Sequence, residues 1–575
     1  MKFLLVKTIL VFLFCWVPSN MSTVCHVLLL LFQFCLVEPK RAQYRGGIIE
    51  NPDFDRCLNG WNVFGNASIE EGKSKNGNKF LISKHRTRPL DGVSKNVQFE
   101  QGQIYSFSAW IQISEGIENV SVVFRIDGKD LIRAGKVIAK SGCWSLLKGG
   151  VTANSSSPVD ILFETKNIRT EIWIDSVSLQ AFTREQWKHH QEIMIKKERK
   201  SNVRFEVTCD NGTAVEGAFV STKQIKGDFP FGCAMNHHIL DNTDYQKWFA
   251  SRFKYTAFTN EMKWYFDEAI QGQENYTIPD SMLNFCKQND ILVRGHNVFW
   301  ADMKYQQKWV LDLSPDDLQK ATTKRIDSVV SRYKGQLIAW DVVNENVHFR
   351  FYEDKLGPNA SNEFYLRAYQ LDPSITMFLN DYNTLEYCGD ENVSPVTYMQ
   401  KLENMLSYPG IQGISAGIGL EGHFGLGNAN LAYMRSVMDI FGSTGLPLWF
   451  TEVSVANDPD QAQYLEEVLR EGYSHPAVKG IIMFMGPAQA GFKETPLTDM
   501  SFSNTPAGDV VDKLLREWNS QTTETKTNAK GLSEILMNLG EHTVTVEHQL
   551  TNSLVTKTFN YKVAKGVRTV HFQIC

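Results

Sequence analysis

Short runs in which apolar and polar positions alternate fill the chain from Gly46 to about Phe182. Examples are Tyr105-Ser-Phe-Ser-Ala-Trp-Ile111, Val120-Ser-Val-Val-Phe-Arg-Ile126, Val159-Asp-Ile-Leu-Phe163 and Ile172-Trp-Ile-Asp-Ser-Val-Ser-Leu179, with Gly, Asn and Asp between them. Period-two alternation buries one side of each strand and wets the other, which predicts an antiparallel β-sandwich over 46–182. Thr183 to Lys200 is rich in Arg, Lys, Glu and His and reads as a linker helix. The stretch Asn202–Val220, two β-like runs around Asp210-Asn-Gly, reads as a hairpin, so 183–224 is a connector.

From 225 to 520 the pattern changes. Continuous apolar runs alternate with helical stretches: Phe231–Met235, Tyr255–Thr259, Ile291–His296, Leu337–Trp340, Ile375–Asn380, Gly413–Leu420, Leu446–Thr451 and Val478–Phe484. Asp316–Tyr333, Tyr398–Tyr408, Leu431–Gly442 and Asp460–Gly472 carry the intervening helical periodicity. Strands apolar on both faces suit a parallel sheet covered on both sides. Eight β/α units predict a (β/α)8 TIM barrel, whose chemistry sits at the C-terminal ends of the strands. Beyond 521 the chain is first polar and then β-patterned, at His542–His548 and Val555–Tyr561. The expectation is a small β-rich tail, 521–575, that pairs with the 202–220 hairpin.

Residues 1–37 differ from the rest. Lys2 and Lys7 precede two apolar runs interrupted at Pro18-Ser19-Asn20, each the length of a signal-peptide core and short for a bilayer span. A signal peptide, or an uncleaved signal anchor, is expected, and with it secretion to the extracellular space. Asn66, Asn119, Asn154, Asn211, Asn275, Asn359 and Asn392 stand in N-x-S/T sequons, which matter in that route. Cys15, Cys25 and Cys35 fall in the leader, and Cys57, Cys143, Cys209, Cys233, Cys286, Cys388 and Cys575 after it. The spacing fits no zinc pattern, and Cys57–Cys143 is a candidate disulfide. The net charge of −5 offers no basic field, so no nucleic-acid partner is expected.

The strand ends carry the chemistry. Leu337-Ile-Ala-Trp-Asp-Val-Val-Asn-Glu345 and Leu446-Pro-Leu-Trp-Phe-Thr-Glu452 are apolar strands that stop on a glutamate. A carboxylate aimed into an interior is costly unless it is paired or used. Two of them at one barrel face are what a retaining glycosidase needs, as acid/base and nucleophile. Around them the strand ends supply Asn260 and Lys263, His296 and Trp300, Asn344, Tyr382, and Glu421 with His423. Lys263, Asn260, Asn344 and His296 offer partners for sugar hydroxyls, and Trp300 a stacking face. Apolar surroundings beside Trp340 would keep Glu345 protonated as the acid, while His423 would hold Glu452 ionised as the nucleophile.

Several of these stretches resemble glycoside hydrolase family 10, the endo-1,4-β-xylanases: Trp340-Asp-Val-Val-Asn-Glu345, Arg294-Gly-His-Asn-Val-Phe-Trp300, Asn260-Glu-Met-Lys-Trp264, Gly417-Ile-Gly-Leu-Glu-Gly-His423 and Trp449-Phe-Thr-Glu452. The region 46–182, with Asn51-Pro-Asp-Phe-Asp, Gly60-Trp61 and Ser141-Gly-Cys-Trp144, looks like a family 22 carbohydrate-binding module. The order of the two is similar to that of the secreted xylanases of plants, which act in cell walls. The resemblance implies Glu345 as acid/base, Glu452 as nucleophile, His423 as its support, and Asn260, Lys263, His296, Trp300 and Asn344 at the cleaved sugar. Three positions depart from the family pattern: Glu421 where Gln is usual, Ser454 where Asp is usual, and Phe484 where Trp is usual. The implied partner is xylan. A monomer without metal or organic cofactor is expected, and no stable membrane partner unless the leader is uncleaved. The alternatives are a weakly active or inactive xylan-binding wall protein, or a retaining β-glycanase or transglycosylase of another specificity.

Overall fold

The computed structural model describes residues 35–36, 38–519, 522–548, 553–561 and 566–574. The leader expected over 1–37 thus lies, apart from Cys35 and Leu36, outside the described residues. Cys35–Leu36 is a short strand paired antiparallel with Ser145 and Trp144, so the sandwich recruits chain from before residue 38.

The sandwich is two antiparallel sheets, one of six strands and one of five, closed over a core that includes Phe54, Trp61, Phe107, Phe124 and Ile174. The outer face of the six-stranded sheet carries its own aromatic cluster, Phe80, Trp110 and Trp144, with Trp173 packed against it. The candidate bridge Cys57–Cys143 does not form. Cys57 is a free, exposed thiol, whereas Cys143 and Cys209 each take part in a disulfide with another cysteine.

The linker helix, Arg184–Arg199, starts on a capping box made by Thr183 and Gln186. It is docked rather than a free spacer. Trp187 and Gln191 donate to the buried Glu471 at 2.8 and 2.6 Å, and Arg435 meets the same carboxylate at 2.5 Å. The sandwich also rests directly on the barrel. Lys148 pairs with Asp439 at 2.7 Å, and a Cβ at Gly150 would come within 2.5 Å of Ala432 Cβ, so only glycine allows that approach.

The barrel strands are β1 (Phe231–Cys233), β2 (Tyr255–Ala257), β3 (Leu292–Trp300), β4 (Ala339–Asn344), β5 (Thr376–Asp381), β6 (Ala416–Leu420), β7 (Leu448–Val455) and β8 (Val478–Met483). They pair in parallel in the order β1-β8-β7-β6-β5-β4-β3-β2, and a parallel bridge between Met235 and Phe258 joins the two ends. The large core lies between strands and helices and holds Trp340, Tyr365 and Tyr398. A smaller one inside the ring holds Ala257, Ala339, Phe378, Trp449 and Ile482. Each expected strand is present, but β4 runs later than the apolar pattern suggests, and the polar residues Asp341 and Asn344 belong to it.

The expected hairpin at 202–220 separates into two sheets. Lys200–Thr208 pairs with Leu532–Asn538 and Val567–Gln573, whereas Phe219–Gly227 pairs with Thr522–Lys526 and Gly540–His548. The Asn-Gly turn still reverses the chain, but it passes from one sheet to the other. Val203, Phe205, Val220, Val544 and Phe572 fill the space between. The tail and the connector are therefore one small β-sandwich beside the barrel.

Candidate active site

Register places the functional side chains. Trp300, Asn344 and Asn380 are neighbours across β3, β4 and β5. Past the ladder, the N–H of Glu345 donates to Asn380 O, that of Glu421 to Asp381 O, and that of Glu452 to Glu421 O, each at 2.9–3.0 Å. Three glutamates at the ends of β4, β6 and β7 are thereby turned into one pocket, and all three are buried.

Asn380 organises them. Its amide nitrogen donates toward Asn344 Oδ1 (2.8 Å), Glu452 Oε1 (3.0 Å) and Glu421 Oε1 (3.1 Å), while its oxygen accepts from Thr451 at 2.5 Å. Asn344 uses its oxygen in that bond, so its own amide nitrogen remains a donor. His423 Nδ1 lies 2.8 Å from Ser454 Oγ, and its Nε2 lies 3.3 Å from Glu421 and 3.7 Å from Glu452. The hydrogen bond expected to Glu452 is thus directed first at Glu421. His296 is fixed by Asp341, Nδ1 to Oδ2 at 2.8 Å, and points Nε2 at Glu452 Oε1, 3.6 Å away.

The carboxyls differ in charge state. Burial, helped by the charges of Asp381 and Glu452, raises Glu345 to about 8 against the indole of Trp300. That indole is the aromatic neighbour of Glu345. Trp340 packs outward against Tyr333. Burial would raise Glu452 as well, but His296, His423 and Lys263 outweigh it and hold the carboxyl well below its ordinary range. Glu421 is pushed well up by burial and by Glu452. Hydrogen bonding to Glu421 and Glu452 overcomes burial at His423 and holds its proton well above the usual imidazole range. One donor atom each of Glu421, His423 and Glu452 lies within 4.8 Å of the others, spacing that would suit a cation; protonated His423 supplies that positive charge.

Lys263 is buried with its ammonium 4.3 Å from the Trp300 ring centroid. Trp300 in turn stacks on Tyr305 at 3.8 Å, a flat platform at the rim. Phe484 packs edge-on to His296 and His423. Tyr382 stands beside Glu345, whose charge helps raise the phenol. Asn260 is exposed and accepts from Tyr265 at 2.6 Å. Sequence reasoning missed Asn380, Asp341, Asp381, Asp390 and Tyr305. Asn380 and Asp341 lie within quoted runs, but their partners are on other strands.

The family model described as "Glycosyl hydrolase family 10" matches residues 221–487, and one described as "Carbohydrate binding domain" matches 46–170. The chain is 45% identical to "Endo-1,4-beta-xylanase 5-like" of Arabidopsis thaliana, covering 92% of this chain and 91% of that one. It is 44% identical to "Endo-1,4-beta-xylanase 5", again over 92% and 91%, and 48% identical to "Endo-1,4-beta-xylanase 4" over 76% and 77%, both of the same plant. Similarity of this degree along almost the whole of both chains, on a barrel with two glutamates of opposite charge state, has one meaning: the chain belongs to glycosyl hydrolase family 10.

Proposed function

We propose that the protein is a retaining endo-1,4-β-xylanase that cleaves internal β-1,4-xylosidic bonds of cell-wall xylan by double displacement. The opposite displacement of Glu345 and Glu452 carries this reading. Glu345 enters protonated and gives its proton to the glycosidic oxygen, while the Glu452 carboxylate attacks the anomeric carbon and forms a glycosyl ester. The aglycone leaves. Glu345, now ionised, takes a proton from water, which attacks the same carbon and restores Glu452. Asn344 donates to the sugar beside the reacting carbon, Lys263 and His296 line the same subsite, and Trp300 with Tyr305 offers a stacking face.

The sandwich supplies a second place for xylan, with the Phe80, Trp110, Trp144 and Trp173 cluster on its outer sheet as the candidate surface. The protein is read as a secreted, glycosylated monomer of the cell wall. The two leader runs support this, and so does the exposure of Asn66, Asn119, Asn154, Asn211, Asn275, Asn359 and Asn392. Among the described residues no helix is long and apolar enough to cross a membrane.

Reducing-sugar release from xylan, cellulose and mannan, with Glu452→Ala as control, tests the reading. Release from xylan by the wild type alone is expected. Equal background from both proteins, with retained binding to insoluble xylan, would leave a binding protein instead.

A further inference from the structure

Glu345 has φ of +55°, the left-handed region, which costs a non-glycine residue about 1 kcal/mol or more and persists only where its surroundings over-determine it. The loop that follows shows what does so. Asp381, fully buried at the end of β5, accepts the N–H groups of Val347 (2.8 Å) and His348 (3.2 Å) on one oxygen and that of Tyr382 (3.0 Å) on the other. Phe349 N–H closes the turn on Glu345 O at 3.0 Å. His348 then completes the fastening. Its Nδ1 meets Asp381 Oδ1 at 2.5 Å, its Nε2 meets Asp390 Oδ2 at 3.0 Å, and its ring lies flat on Tyr382 with centroids 3.9 Å apart.

A carboxylate only accepts hydrogen bonds, so an imidazole that meets one on each nitrogen carries both protons. The charged and titratable groups facing it are Asp381 from β5, Asp390 from the loop after β5, Tyr382, and Glu345 on its own loop. The two aspartates overcome burial and hold the His348 proton up to about 8. The clamp continues across the pocket. Asp390 accepts from Asn383 Nδ2 (2.9 Å), Asn383 N–H donates to Glu386 (2.8 Å), and Glu386 accepts the N–H of His423 (3.1 Å).

We propose that His348 is a positioning residue for the acid/base: clamped as an imidazolium between Asp381 and Asp390, it holds the 345–349 loop and the Tyr382 wall so that Glu345 meets the leaving oxygen. The proposal rests on the reading of Glu345 as general acid. It has a signature that a merely structural role lacks, because proton donation matters for a poor leaving group and is dispensable for a phenolate that departs unaided.

The test is kcat/KM of His348→Gln and Asp390→Asn on phenyl and dinitrophenyl β-xylobiosides, a ratio set by the glycosylation step. For His348→Gln the phenyl substrate should lose about ten- to a hundredfold, a part of the roughly 10²–10⁴-fold that general acid catalysis contributes. The dinitrophenyl substrate should lose less than about threefold, since the nucleophile is untouched. Asp390→Asn keeps the ring and one half of the clamp and should show a smaller loss of the same selectivity; it decides the matter if the His348 variant does not fold. Equal losses on both substrates, or none on either, would overturn the proposal. A wild type that cleaves neither xylobioside would instead overturn the xylanase reading.

Discussion

Asp341→Asn removes one charge from the polar layer beneath the pocket. Asp341 and Arg294 are both fully buried inside the barrel, and Asp341 binds Arg294 Nη2 and His296 Nδ1. Arg294 Nε and Nη1 have no hydrogen-bond partner among the described residues, so Asp341 alone answers a guanidinium held out of water. The Phe378 ring, 4.9 Å from that guanidinium, gives a cation–π contact, worth about 2 kcal/mol when desolvated. It is present before and after the substitution and therefore offsets nothing. Breaking a buried pair by removing one partner costs about 3–5 kcal/mol, because the other charge remains. Asparagine keeps the shape and one acceptor, so the lower figure, about 3 kcal/mol, is the expectation. At roughly 2 °C per kcal/mol for a large domain, the barrel should melt about 6 °C lower. Scanning calorimetry that follows the barrel transition separately from the sandwich measures this. His296 would also lose its orientation toward Glu452, so kcat should fall with stability. A shift under about 1 °C, with a cooperative barrel transition, would refute the reasoning.

The activity on xylan should fall as pH rises through about 8, where Glu345 gives up the proton that burial retains. Glu452, held low, should stay ionised well into acid, so a pH profile of kcat/KM with its alkaline limb near the ordinary carboxyl range would contradict the assignment. For Glu421→Gln the expectation concerns stability. The native Glu421 carboxyl is raised, so the folded state binds more protons than the unfolded one and stability is lost as pH climbs above the unfolded value. The amide cannot ionise, so the variant's melting temperature relative to wild type should be more favourable at pH 8 than at pH 5. A difference independent of pH would show that Glu421 does not hold its proton.

How much was legible in the sequence follows from which interactions are local. The eight barrel strands announced themselves because strands covered on both faces must be apolar along their length. Glu345 and Glu452 stood out as a pair, because two apolar strands each stopping on a carboxylate, with His and aromatic residues at the neighbouring strand ends, are hard to explain as rim ion pairs. The hairpin at 202–220 was misread for a related reason. Asp210-Asn-Gly specifies a reversal, which occurs, but not the partners of the two strands it joins; Ile535, Val544 and Phe572 from the far end of the chain supply those. Cys57 and Cys143 likewise lie in one domain, yet Cys57 is left free while Cys143 bonds elsewhere.

From its sequence alone the chain determined its architecture and singled out the two strand-end carboxyls proposed to react, since strand periodicity and strand termination are properties of a few consecutive residues. The tertiary structure decided their charge states. Asp341 fixes His296 from β4, Asn380 ties Asn344, Glu421 and Glu452 together from β5, and Asp381 with Asp390 seats His348 behind the acid. A proton's affinity depends on burial and on charges a few ångströms away, and those distances exist only once the barrel has closed.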